Sequence, residues 1–143
     1  MTLSVILAHK GRHTITASAD QTLRDITRVL SEKGIGAILI TGPSKTLLGI
    51  ISERDIVRAI ARNGAEALDE KVGIHMTSRV VTATADTSVA EAMSHMTAGR
   101  FRHIPVMDGD RVDGLVSIGD LVKHRLSEME TENKALYEYI TAA

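Results

Sequence analysis

Two stretches of the chain spell one pattern. Gly49-Ile50-Ile51-Ser52-Glu53-Arg54-Asp55 and Gly114-Leu115-Val116-Ser117-Ile118-Gly119-Asp120 both read Gly, two aliphatic residues, Ser, two variable residues, Asp. Each lies between a strand-like run and a helix-like run, and they stand 65 residues apart in a chain of 143. A chain written this way is two copies of one unit. A unit of about 65 residues buries little surface by itself, so the two are expected to share one core. Apolar residues make up 43% of the chain but aromatics only 2%. That core must therefore be built from Val, Ile, Leu, Ala and Met.

The first copy reads β-α-β-β-α. Residues 1–13 are a short apolar lead-in, expected to pack on the first unit. Thr14-Ile15-Thr16 reads as a short strand. Thr22-x-x-Asp25 has capping-box form, and Leu23, Ile26, Val29 and Leu30 follow at helical spacing up to Gly34. Ala37-Ile38-Leu39-Ile40 is a buried strand, Thr41-Gly42-Pro43-Ser44 a turn, and 47–51 the returning strand of a hairpin. A helix over 53–62 follows, with Ile56, Val57 and Ile60 on one face and Asn63-Gly64 as its stop. The second copy repeats this order. Val80-Val81-Thr82 is its short strand, Ser88-x-x-Glu91 its capping box, 103–107 and 112–116 its hairpin. Corresponding residues are 66 apart before the hairpin turn and 65 after it, a one-residue deletion where a repeat tolerates change best. The expected division is repeat one at 8–64, a linker and lead-in at 65–79, repeat two at 80–126, and a C-terminal helix extension at 127–143. In that last helix Val122, Leu126, Met129, Asn133, Leu136 and Ile140 alternate by four and three, a heptad-type seam with one polar position. It packs either on its own chain or against a second copy.

Several function classes lose ground. A formal charge of −1 gives no basic field for nucleic acid or an anionic membrane. With no cysteine there are no disulfides, thiolate metal sites or thiol catalysis, as suits a cytoplasmic protein. Residues 1–8 are too short and lack the basic start of a secretory signal. No run reaches the roughly 18 apolar residues of a membrane span. The six histidines show no metal-ligand spacing, and no nucleophile elbow, P-loop or dinucleotide glycine motif is present. An enzyme is not expected.

The two Ser-x-x-Asp stretches have a plain reading as helix caps, each contributing about 1 kcal/mol with no ligand. A second reading rests on their place. Each follows a buried strand directly and so lies at its carboxyl end, where open sheets bind ligands. Each opens a helix, whose free N–H groups favour phosphate. An Asp there can accept from ribose hydroxyls. Arg100-Phe101-Arg102-His103 supplies positive charge at the start of a strand, unless Arg100 and Arg102 are simply solvated. The matching Gly34-Ile35-Gly36-Ala37 supplies room for a close approach instead.

A tandem β-α-β-β-α unit ending each time in Gly-aliphatic-aliphatic-Ser-x-x-Asp resembles a CBS-domain pair, the module named from cystathionine β-synthase. The resemblance covers about residues 8–126. Copy two also carries the His103-Ile104-Pro105-Val106 strand usual in that family, and copy one departs from it with Leu39 where Pro is common. The motifs are similar to those of small stand-alone bacterial members and their organellar relatives. The resemblance implies an α+β pair with two clefts between the copies, non-catalytic, regulatory in energy or redox sensing. It implies an adenosine ligand: an adenine nucleotide (AMP, ADP, ATP or NAD(H)) or S-adenosylmethionine. Carried over, Asp55 and Asp120 hold ribose hydroxyls, Ser52 and Ser117 touch phosphate or ribose, and Arg102 and His103 hold phosphate. Arg54 also reaches a phosphate; Gly119 is the matching position without a side chain. Met76, Thr77, Val80 and Thr82 are assigned to the Asp55 cleft. Lys10, Gly11, His13 and Thr16 are assigned to the Asp120 cleft. Gly36, Ala37 and Pro105, at the starts of the matching strands, complete the set. A homodimer and a protein effector of unknown identity are implied, with no nucleic acid and no membrane partner. The alternative is a dimerisation scaffold that binds no nucleotide. The one set of Arg102 and His103 predicts unequal clefts.

Overall fold

A computed structural model describes residues 1–142. In the first repeat β1 (Thr16–Ala17) runs parallel to β2 (Ala37–Thr41), which pairs antiparallel with β3 (Leu47–Ser52). In the second, β4 (Ala83–Thr84), β5 (His103–Asp108) and β6 (Arg111–Ser117) repeat that three-stranded sheet. Helices α2 (Leu23–Lys33) and α3 (Glu53–Asn63) belong to the first sheet, α5 (Val89–Gly99) and α6 (Ile118–Ala142) to the second. Two shorter helices, α1 (Leu3–Lys10) and α4 (Val72–His75), lead into β1 and β4. This is the expected α+β pair with a long last helix. Ala37 faces Ser52 and His103 faces Ser117, so the offset falls from 66 to 65 across the hairpin turns.

Burial follows the pleat. Ile38, Ile40 and Ile51 join Leu23, Ile26, Leu30 and Ile56 in one cluster. Ile104, Val106 and Val116 join Val89, Ala92, Met96 and Leu121 in another. Each fully buried Leu or Ile contributes about 1.5–3 kcal/mol. The buried residues thus form two clusters and not the single core expected. The reason is the lead-in helices, which close each sheet separately.

Those helices also correct a second expectation. The N-terminal lead-in packs on the second unit. Leu3, Ile6 and Leu7 are buried in the second cluster, and Leu3 N–H donates to Thr87 O at 2.9 Å. The linker instead closes the first repeat through Ala67 and Val72, with Val72 N–H donating to Gln21 O at 2.7 Å. The crossing explains the glycine that opens each repeated motif. A Cβ at Gly114 would lie 2.6 Å from Leu7 Cδ2, and one at Gly49 would lie 2.7 Å from both Met76 Sδ and Thr77 O.

Smaller differences are local. The short strands start later than the β-branched runs suggested, at Thr16 rather than Thr14 and at Ala83 rather than Val80. Parallel pairing with β2 and β5 sets their register, with Ala17 opposite Ile40 and Ala83 opposite Val106. On α3, Ile56 and Ala59 are buried while Val57 is 66% and Ile60 38% exposed, so the covered face is narrower than the apolar pattern. Ser88 accepts from Glu91 N–H at 3.0 Å without the reciprocal bond that completes the boxes at Thr22 and Ser52. Along α6 only Leu121 is buried; Val122, Leu126, Met129, Leu136 and Ile140 of the seam are all exposed.

Candidate functional site

The strand β3 passes into α3 with no intervening loop, so Ser52 is both its last residue and the N-cap of the helix. Asp55 N–H donates to Ser52 Oγ at 3.3 Å, and Ser52 N–H and Oγ–H donate to Asp55 Oδ2 at 2.8 and 3.0 Å. The cap reading therefore holds. It uses one carboxylate oxygen, and among the described residues Oδ1 has only Arg58 Nη1 beside it, at 3.9 Å. The same box recurs at Ser117 and Asp120, with bonds of 2.8 and 3.1 Å. Cap and ligand contact are compatible, because they use different oxygens. The free amides are fewer than the sequence suggested. Glu53 N–H donates to Gly36 O and Asp55 N–H to Ser52 Oγ, so two of the first three are already satisfied.

Asp55 opens into a cavity of about 600 Å³. Of the residues expected there, Ser52, Arg54, Asp55, Thr77 and Val80 line it. Gly36, Arg102 and His103 line it as well, so the basic start of β5 faces the Asp of the other repeat. Met76 does not line it. Its thioether packs against Gly49 and the first cluster. Thr82 is exposed outside it, and Ala37 and Pro105 are buried in their strands. Three further arginines, Arg58, Arg79 and Arg100, also line the cavity. Arg58 is one turn beyond Arg54 on α3. Arg79 sits 66 residues beyond His13, so the repeat offset that linked Lys10 to Met76 and Gly11 to Thr77 would have found it. Arg100 was visible in the sequence beside Arg102, where solvation explained it equally well.

At the second motif the lead-in brings a cation. Lys10 Nζ donates to Asp120 Oδ2 at 2.5 Å and to Leu115 O at 2.7 Å. Arg12 pairs with Asp113 at 3.3 Å. Burial works to raise the Asp120 carboxyl, but hydrogen bonds from Lys10 and Ser117 and the Lys10 charge outweigh it, holding it below the usual carboxylate range. Gly11, His13 and Thr16 are exposed, and among the described residues Lys10 alone of the expected lead-in set reaches Asp120. Gly119 is exposed next to Ser117.

His103 stands where the two motifs meet. A Cβ on Gly36 would be 3.5 Å from its Cε1, so the room left by that glycine is filled by the imidazole. Burial lowers its pKa first, Lys10 and Arg102 lower it further, and Asp120 and Glu53 pull the other way; the net direction is down. Burial thus favours the neutral imidazole. Among the described residues no group of three His, Cys, Asp or Glu could hold a metal ion, and no helix is long and apolar enough to cross a membrane.

Two sheets, each carrying a Ser-x-x-Asp cap at a strand's carboxyl end and each closed by a helical lead-in, define a tandem module of the CBS type. The chain belongs to the CBS domain family, which is matched at residues 11–62 and 70–127. The mitochondrial CBS domain-containing protein CBSX3 of Arabidopsis thaliana is 35% identical over 147 residues, 97% of this chain and 71% of the relative. Other Arabidopsis relatives are longer, the chain spanning as little as 21% of their length. A CBS-domain containing protein from Agrobacterium tumefaciens superposes with a TM-score of 0.85 at 38% identity, covering 87% of this chain and 99% of the other. The CBS domain pair of the protein MJ0100, in complex with 5'-methylthioadenosine and S-adenosyl-L-methionine, gives 0.80 at 26% identity over 90% and 98%. A CBS domain protein from Pyrobaculum aerophilum complexed with AMP gives 0.74 at 25% over 84% and 89%.

Proposed function

We propose that this chain is a regulatory, non-catalytic sensor that binds an adenine nucleotide in the cleft at Asp55 and signals through a protein effector. AMP, ADP, ATP and NAD(H) are the ligand class. One observation carries the reading: Ser52 and Asp55 of one repeat share a cavity with Arg102 and His103 of the other. A carboxylate for the ribose and, from Arg102, a guanidinium for phosphate then face each other across the repeats, and relatives of the same fold hold AMP or S-adenosylmethionine. The working units are residues 8–64 and 80–126, joined by 65–79, with 127–143 as an extension. A cytoplasmic setting belongs to the reading; the Arabidopsis relative is named as mitochondrial.

The test is a thermal-shift panel of AMP, ADP, ATP, NAD⁺, NADH and S-adenosylmethionine. A ligand at roughly 100 times its dissociation constant adds about 2.7 kcal/mol, which raises Tm by several degrees in a chain this size. A flat response across the panel removes the nucleotide reading.

The exposed seam of α6 favours a second reading, a dimerisation scaffold. Leu126, Met129, Leu136 and Ile140 are more than half exposed in the single chain, at the heptad spacing that pairs helices. We propose a homodimer built on this seam. Replacing Asp55 and Asp120 together separates the readings: a sensor loses its ligand and keeps its dimer, whereas a scaffold changes in neither respect.

A further inference from the structure

We infer that the Asp55 cleft is built for an adenine nucleotide carrying two or more phosphates, and that Arg79 and Arg100 set this preference over a monophosphate. The inference rests on the reading of that cleft as a nucleotide site. Five guanidinium groups line the one cavity, from Arg54, Arg58, Arg79, Arg100 and Arg102, against the carboxylates of Glu53 and Asp55. His103 beside them is held toward its neutral form by burial. An adenosine monophosphate brings about two negative charges and leaves part of that excess unmet. A chain of phosphates meets it, and a sulfonium nucleoside such as S-adenosylmethionine adds to it.

The arginines arrive from three parts of the chain. Arg54 and Arg58 lie one turn apart on α3, where like charges repel. Arg79 comes from the lead-in after α4, Arg100 and Arg102 from the passage between α5 and β5. Arg54, Arg79, Arg100 and Arg102 have no carboxylate partner among the described residues, and Arg58 has only Asp55 at 3.9 Å. Arg100 carries a backbone cost as well. It caps α5 in the left-handed conformation with φ 56°, where the first repeat uses Gly34 with φ 62°. A side chain there is disfavoured relative to glycine, and such strain collects at ligand sites. The second repeat thus holds an arginine at a glycine position, in the wall of the cavity that faces Asp55.

The experiment is calorimetric titration of the full chain with AMP, ADP, ATP, S-adenosylmethionine and inorganic tripolyphosphate at fixed ionic strength. ATP and ADP are expected to bind on the order of tenfold more tightly than AMP, the gain of one charge-assisted contact. Tripolyphosphate should compete with ATP. Arg100→Gly should lower ATP affinity more than AMP affinity, with the unliganded Tm unchanged or higher because the backbone strain is relieved. Arg79→Ala provides the same test away from any helix end. AMP binding as tightly as ATP overturns the inference, as does an equal loss for AMP and ATP in both variants. Binding of tripolyphosphate without any nucleoside preference removes the adenosine reading and leaves the polyanion site standing. No binding of any of the five removes both.

Discussion

At Asp55 the lead-in of the second repeat lies along β3 by its backbone. Ile50 N–H donates to Thr77 O and Thr77 N–H to Ile50 O, at 2.9 and 2.8 Å. At Asp120 the corresponding carbonyl, of Leu115, is taken by the Lys10 ammonium, which goes on to the carboxylate itself. The repeat position that holds Met76 in one lead-in holds Lys10 in the other. Methionine folds into the core against Gly49 and leaves its cleft open to a ligand. Lysine spans from the lead-in to the Asp and puts its charge on Oδ2, the oxygen that also accepts from Ser117 N–H. The same cap, on the same kind of strand, thus carries a lysine ammonium on its capping oxygen in one repeat and none in the other. We propose that this one residue type in the covering segment sets the two copies of the site apart.

The largest expected effect tests that division directly. Asp55→Ala should weaken nucleotide binding on the order of a hundredfold, the loss of two hydrogen bonds to a charged group. It should also remove about 1 kcal/mol of helix-capping stability. Asp120→Ala should cost a similar cap but change the affinity of the tighter site by less than about threefold. Isothermal titration and chemical denaturation of the two variants read both quantities. Equal losses of affinity would show that the clefts are alike and that the Lys10 contact does not distinguish them.

Next in size is the release of the second cleft. Lys10→Met gives the first lead-in the residue that the second already has. A wild-type chain is expected to take up one equivalent of nucleotide at concentrations where the variant takes up two. Stability should fall by less than about 1 kcal/mol, since the Lys10 side chain is 36% exposed and such pairs are screened. Stoichiometry unchanged at one would mean that the second cleft lacks more than a free carboxylate. The absence there of any counterpart to Arg54, where Gly119 stands, would then be the better explanation.

A smaller effect follows from the charge on Asp120. Its carboxyl is held below the usual range near 3.8, so the folded state binds the proton less readily than the unfolded chain. The resulting stability is fully present above that ordinary value and is lost as pH falls through the depressed folded pKa. Asp120→Asn should therefore flatten the acid limb of Tm against pH below about 4, whereas the wild type declines there. A limb of unchanged slope would show that Lys10 contributes nothing to holding Asp120 ionised.

What the sequence revealed depended on distance along the chain. The caps at Thr22, Ser52 and Ser117 each join residues three apart, and all were readable. So was the repeat, because its offset survives everywhere except in a hairpin turn. The Lys10–Asp120 contact spans 110 residues, and periodicity can show that Leu3, Ile6 and Leu7 share a face without showing which sheet covers it. Val80 and Val81 read as strand from their branching, yet both line the cavity and pairing begins at Ala83. There the covering role of the lead-in overrode intrinsic preference. Arg58 and Arg79 were missed for a different reason. A lone arginine on a helix or in a linker is solvated more often than not, and only the assembled cavity shows five of them facing one space.

The finest test of the comparison is His103, because it touches both sides. Glu53 belongs to the open cleft, Lys10 and Asp120 to the occupied one, and all three act on the imidazole. Its pKa is lowered from 6.5, mainly by burial, so the folded chain resists the proton. That contribution to stability is fully present above 6.5 and is lost as pH falls through the lower folded value. A phosphate chain arriving in the Asp55 cleft favours the charged form and should raise the pKa. Nucleotide binding near pH 6 is then accompanied by proton uptake, and affinity rises as pH falls. Lys10→Met should raise the pKa in the unliganded chain as well, by removing a neighbouring positive charge. Titration of the His103 ring protons by NMR, with and without ATP and in both proteins, separates these shifts. If ligand moves the pKa and Lys10→Met does not, His103 senses one cleft only, and the coupling between the two has to run through the strand and not through the imidazole.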